Sequence, residues 1–158
     1  MVGIIIAVIL FNLIAIKVKK RLTRSEMLQI WLFTTLFQLM FDVFISLKYQ
    51  GYWYFTKGVD WQSLLVYVCL VPPVNLIFLN VYPLKSPLWK QFSFFLAWNV
   101  GIVIYEVLTL LPEPWGYFHY GWWSLYHSIM INPFLLLILL GFYKLVRRLE
   151  HKAVVKQV

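Results

Sequence analysis

A chain of 158 residues that is 62% hydrophobic, 20% aromatic and only 13% charged is not an ordinary soluble domain. Soluble domains are about 45–50% apolar and about 25% charged, and a chain of this size needs a polar skin that this composition does not supply. Most of the protein is therefore read as solvated by lipid. Its formal charge of +8 is read as membrane topology rather than affinity for nucleic acid. The single cysteine, Cys69, lies in an apolar run and excludes a disulfide framework or a cysteine metal cluster.

Hydropathy divides the chain into five apolar blocks, against the roughly 20 residues that a membrane-spanning helix needs. The first, residues 2–18, is short, but Lys17 and Lys19 extend its reach by snorkelling. It lacks a basic leader and a small-residue cleavage site, so it reads as a retained helix. The second covers 27–47. The third, 61–81, contains "VPPVN", where Pro72 and Pro73 are expected to kink or break the helix midway. The fourth, 89–111, stops at "PEP", and the fifth, 122–146, holds Pro133 as an expected bend.

Charge orients these blocks. If the chain crosses five times, one side receives twelve basic residues: Lys17, Lys19, Lys20, Arg21, Arg24, Lys85, Lys90, Lys144, Arg147, Arg148, Lys152 and Lys156. The other side receives only Lys48 and Lys57. The positive-inside rule then puts the amino terminus outside and the carboxyl terminus in the cytoplasm, where the basic runs face anionic lipid headgroups. The expected fold is all-α: one domain, residues 1–158, forming a bundle of five transmembrane helices in the cytoplasmic membrane of a bacterium. Four spans with the first block on the membrane surface is the alternative.

Ionisable groups within a span are costly and usually face a bundle interior. Asp42 lies about five residues, or ~8 Å, from the outer end of the second block. Glu106 stands at a similar depth in the fourth block and His127 in the fifth. Gln38 and Ser46 share a helical face with Asp42, Asn99 precedes Glu106 by one heptad, and Ser124, Ser128 and Asn132 run beside His127. Tyr67 reaches the same level. The two outer connections, "KYQGYWYFTKGVDW" and "PEPWGYFHYGWWSLYH", are crowded with rings, Trp122 and Trp123 among them. They form either an interfacial aromatic belt or a lid over a polar pocket built from these side chains.

No H-x-x-H or H-E-x-x-H metal spacing, glycine-rich phosphate loop or G-x-S-x-G nucleophile motif is present, so no metal or cofactor is expected. The stretch from "FLNVYPLKSPLWKQF" through "VIYEVLTLL" to "GWWSLYHS" resembles a family of small multi-span membrane proteins of spore-forming Gram-positive bacteria. Tyr82, Pro83, Glu106, Trp122 and Trp123 carry the resemblance, which implies architecture and no activity. More remotely, "FDVFISLKYQGYWYF" followed by "VPPVNLIFL" is similar to the layout of the small membrane lycopene cyclase domains. Val74 and Asn75 stand where those domains carry their acidic pair, so the similarity is one of fold.

The expectation is a non-enzymatic membrane component with an outward-facing polar and aromatic pocket. It would bind a small amphiphile, lipid or cation there, or dock with a membrane protein partner or a second copy of itself. A membrane-embedded enzyme acting on a lipid or isoprenoid, with Glu106 and Asp42 as acid and base, is the first alternative. A small transporter is the second.

Overall fold

The computed structural model describes residues 1–18 and 21–155, with side chains for 1–18 and 21–152; Lys19, Lys20 and Lys156 of the charge bias lie outside the described residues. The chain is predominantly helical. Its elements are α1 (Val2–Lys17), α2 (Arg24–Asp42), β1 (Tyr52–Trp53), α3 (Val71–Val81), α4 (Leu88–Thr109), β2 (His119–Tyr120) and α5 (Leu125–Val155). Two π-helical segments join them, Val43–Lys48 continuing α2 and Leu65–Leu70 leading into α3. The segments Arg24–Lys48, Leu88–Thr109 and Leu125–Lys152 are long and apolar enough to cross a membrane, while Val2–Lys17 and Leu65–Val81 are apolar but shorter.

The helices bury one face each and leave the opposite face apolar. On α2, Leu28, Leu32, Leu36 and Met40 are exposed, and on α4, Phe92, Leu96, Val100 and Ile104 are. A four-residue spacing draws each set into a stripe along its helix. In water such patches would drive association; beside acyl chains they cost nothing.

The basic end of the bundle is closed by capping. "TRSE" at the start of α2 forms a capping box, with the Glu26 amide donating to Thr23 Oγ1 at 3.0 Å and the Thr23 amide to Glu26 Oε2 at 2.8 Å. Glu26 is nevertheless buried, and its Oε1 lies 3.6 Å from Arg147 of α5. Arg21 has a structural role beyond the charge bias. Its guanidinium donates to the carbonyls of Leu79 and, at 2.7 Å, Tyr82, so a cation caps the C-terminal end of α3. Beneath lies one core: Ile30 of α2, Phe78 and Leu79 of α3, and Leu136, Leu140 and Tyr143 of α5.

The expected proline break takes a specific form. The helix stays continuous, and Pro72 and Pro73 occupy the first turn of α3, where the π-helical segment tightens. Pro73 cannot donate to the Cys69 carbonyl four residues back. Asn12 of α1 supplies the missing donor, its amide bonding that carbonyl at 2.8 Å. Ile4 and Ala7 of α1 are buried against Val66 and Leu70. α1 is thus a packed member of the bundle. Pro133 does not interrupt α5, which also starts later than expected, at Leu125, because Trp122 and Trp123 belong to the preceding connection. The two-stranded pairing of β1 with β2 adds a feature that an all-α expectation lacks.

Candidate functional site: a ribbon over two carboxyl groups

The two aromatic connections are joined. β1 and β2 pair antiparallel, with Tyr52 opposite Tyr120 and Trp53 opposite His119. Opposed residues in such a pair project to one face, and successive residues alternate. Tyr52 and Tyr120 therefore both point into the bundle, while Trp53 and His119 stack on the other face, centroids 6.0 Å apart. Gly51 fastens the ribbon, its carbonyl accepting from the amides of Gly121 at 2.8 Å and Trp123 at 3.0 Å. A Cβ on Gly121 would stand 2.2 Å from the Gln50 carbonyl oxygen, so this approach requires glycine. Gln50 itself adopts a left-handed conformation, φ 52°, turning the chain out of the π-helical segment and into β1.

The inward tyrosines each take one carboxyl group. Tyr52 donates its hydroxyl to Asp42 Oδ1, and Gln38, one turn before Asp42, donates to Oδ2 at 3.1 Å. Tyr120 donates to Glu106 Oε1 at 2.6 Å, where Ser128 of α5 also donates at 2.5 Å. Ser128 in turn accepts from the Trp123 indole at 2.9 Å, and the Trp123 ring packs edge-on against Tyr52 at 5.6 Å. Asp42 and Glu106 are thus bridged by cross-strand partners and by a chain of rings and hydroxyls. Burial first, and then the Asp42 carboxyl beside it, hold the Tyr52 phenol well above its ordinary range. Burial first, and then its bond to Glu106, push up Tyr120. Both remain donors at neutral pH, which fixes the direction of each bond.

The remaining expected site residues take different places. Tyr67 packs edge-on against Tyr54 at 5.6 Å, and Tyr54 accepts a long 3.5 Å bond from Gln38. Trp123 is buried within the cluster. Trp122 is exposed, its indole donating to the Tyr49 carbonyl at 2.8 Å and so tying the ribbon to the end of α2. Asn99 is buried, but its amide donates to the Phe95 carbonyl of its own helix at 2.8 Å. His127 makes no hydrogen bond to either carboxyl and packs instead against Trp123, ring centroids 5.2 Å apart. Its Nδ1 accepts from the Ser124 amide at 3.1 Å and contacts Ser124 Oγ at 2.9 Å, so it caps the start of α5. An S-x-x-H pattern ahead of an apolar run holds that signal, since the capping side chain is three residues on. Tyr52 and Tyr120 were missed as site residues because nothing local distinguishes them from the other loop rings.

Below the ribbon lies a cavity of about 580 Å³. Gln38, Tyr52, Glu106, Thr109, Tyr117 and Ser128 border one end, and Phe33, Phe94, Ile138 and Leu139 the other. Along α4 it runs from Thr109 to Phe94, a rise of ~22 Å at about 1.5 Å per residue. It exists because α4 packs its backbone chiefly on α5. To α1 and α3, α4 reaches mainly by rings, Tyr105 to Phe11 at 5.5 Å and Trp98 to Phe78 at 5.4 Å. Compared with known proteins, the chain matches no family model, no curated protein and no solved structure.

Proposed function

We propose that the protein is an integral membrane protein whose chamber beneath the ribbon binds a small amphiphile, head toward the ribbon and tail between the helices. In this reading all five helices cross the membrane, with the amino terminus and the ribbon outside and the basic end in the cytoplasm. The excess of basic residues at one end supports that orientation. The resemblance to small membrane proteins of spore-forming bacteria favours a bacterial cytoplasmic membrane.

The observation that carries the reading is the shape and lining of the cavity. Ligand sites typically enclose about 300–1,000 Å³, mostly apolar with a few placed polar groups. The ~22 Å run along α4 exceeds one leaflet of hydrocarbon, about 15 Å, so a whole lipid tail fits. Polar groups are densest at the ribbon end, and Thr34, Asn75 and Asn132 are further polar groups along an otherwise mainly apolar lining, which suits an amphiphile.

Gly101 gives a direct test. It lines the cavity, and a Cβ placed there would meet nothing within 4 Å. Gly101→Phe should fill the channel without disturbing its walls. Native mass spectrometry of protein released from maltoside micelles should find a lipid-sized adduct on the wild type and none on Gly101→Phe. An adduct retained equally by both would sink the reading.

A further inference from the structure

We infer that the chamber selects a long-chain amphiphile with a cationic, ammonium head. This rests on the amphiphile-binding reading above and adds the chemistry of the head.

Three features of the polar end point the same way. Among the described residues, the lining contains one charged side chain, Glu106, and no Lys, Arg or His. A phosphate or carboxylate head would therefore bring a second negative charge beside Glu106 with no counter-charge, an arrangement that a water-poor site penalises heavily. Next, the carboxyl of Glu106 is only half used. Tyr120 and Ser128 both donate to Oε1, while Oε2 has no hydrogen-bond partner among the described residues and keeps some accessible surface on a residue that lines the cavity. The two bonds hold the carboxyl in place with one oxygen left to accept.

The third feature is the set of rings. Tyr52 lies 5.0 Å from Phe118 and 5.6 Å from Trp123, and Tyr54 lies 5.4 Å from Phe118, all four rings lining the cavity. Tyr105 and Tyr117, joined through their hydroxyls at 2.8 Å, also line the cavity. The negative faces of aromatic rings attract a desolvated cation, and caged ammonium groups are recognised in this way. A hydroxyl head would use Oε2 but gain nothing from the rings. An ammonium head uses both.

The test is competition for radiolabelled hexadecylamine bound to the purified full-length protein in maltoside micelles at neutral pH, with protein-free micelles subtracted. The competitors are hexadecylamine, hexadecyltrimethylammonium, hexadecanol and palmitate. Both cations should displace the label about tenfold more effectively than hexadecanol, the scale of one cation–ring or charge contact. Palmitate should be the weakest. In Glu106→Gln, affinity for the cations should fall about tenfold more than affinity for hexadecanol, whose hydroxyl still finds a neutral acceptor oxygen, and unfolding in the same micelles reports whether the variant is folded.

Should Glu106→Gln fail to fold, the ranking of the four heads on the wild type decides alone. Equal binding of hexadecanol and hexadecylamine, or stronger binding of palmitate, overturns the ammonium assignment while leaving an amphiphile site. Binding of none of the four overturns both readings.

Discussion

Replacing Glu106 tests whether the ribbon is held down by its carboxyl. Oε1 accepts from Tyr120 at 2.6 Å and Ser128 at 2.5 Å. Gln at this position keeps an acceptor oxygen but makes it neutral. Bonds to charged groups contribute about 1.5–3 kcal/mol and neutral ones about 0.5–1.5, so the loss is about 1 kcal/mol per bond and about 2 kcal/mol for Glu106→Gln. Glu106→Ala strands two hydroxyl donors at about 1–3 kcal/mol each, giving about 2–6 kcal/mol. The assay is reversible unfolding in mixed micelles, with Glu113→Ala as a control because Glu113 is exposed in the turn that follows α4. That control should fall within about 0.5 kcal/mol of wild type. A double-mutant cycle of Glu106→Gln with Ser128→Ala should show about 1 kcal/mol of coupling, inside the range measured for bonds between transmembrane helices. Coupling indistinguishable from zero, or a Glu106→Ala variant as stable as the control, would refute the reasoning.

Glycine positions give paired expectations of opposite sign. Gly121→Ala forces a Cβ to 2.2 Å from the Gln50 carbonyl oxygen and should cost about 1–3 kcal/mol, with faster hydrogen exchange at the Gly51–Trp123 ribbon amides. Gly101→Ala meets open space within a helix and should stabilise by up to about 1 kcal/mol in the same unfolding assay. Arg21→Gln uncaps the Leu79 and Tyr82 carbonyls and should lower stability by about 1–2 kcal/mol, beyond any effect of salt alone. Asp60 offers a pH test. Although partial burial pushes its carboxyl up, bonds from Ser63 at 2.6 and 2.8 Å and from Thr56 outweigh that and hold it below 3.8. A carboxyl lowered in the folded state contributes stability above its unfolded value and loses it as pH falls through the folded one. Asp60→Asn should therefore be less stable than wild type near neutral pH, with the gap in thermal midpoint closing below about pH 4.

The helices were legible because hydropathy over a span is a strong, local signal. Asp42 and Glu106 stood out for the same reason: a charge in an apolar run is conspicuous, and both do point inward. The ribbon was not legible. Tyr52 and Tyr120 are far apart in sequence, each strand has only two residues, and their neighbours are all aromatic, so no alternation marks which ring turns inward. His127 illustrates a competition that depth alone does not resolve. Its distance into the fifth block matched that of the carboxyls, but Ser124, three residues earlier, offered a nearer partner at the helix start. Pro72 and Pro73 marked a change of helix geometry correctly, whereas the rescue of the Cys69 carbonyl by Asn12 depends on a helix distant in sequence.

The chamber is tested most directly by a hexadecanol carrying a diazirine in its tail, photolysed with the protein in micelles and mapped by mass spectrometry. This probe is independent of the head chemistry. Labels should concentrate on the inward walls, at Ala97, Gly101, Leu135 and Leu139, and disappear in Gly101→Phe. Labels confined to the outward stripe of Leu28, Leu32, Leu36, Val100 and Ile104, with the inner walls untouched, would show that hydrocarbon stays outside the bundle and would contradict an amphiphile site.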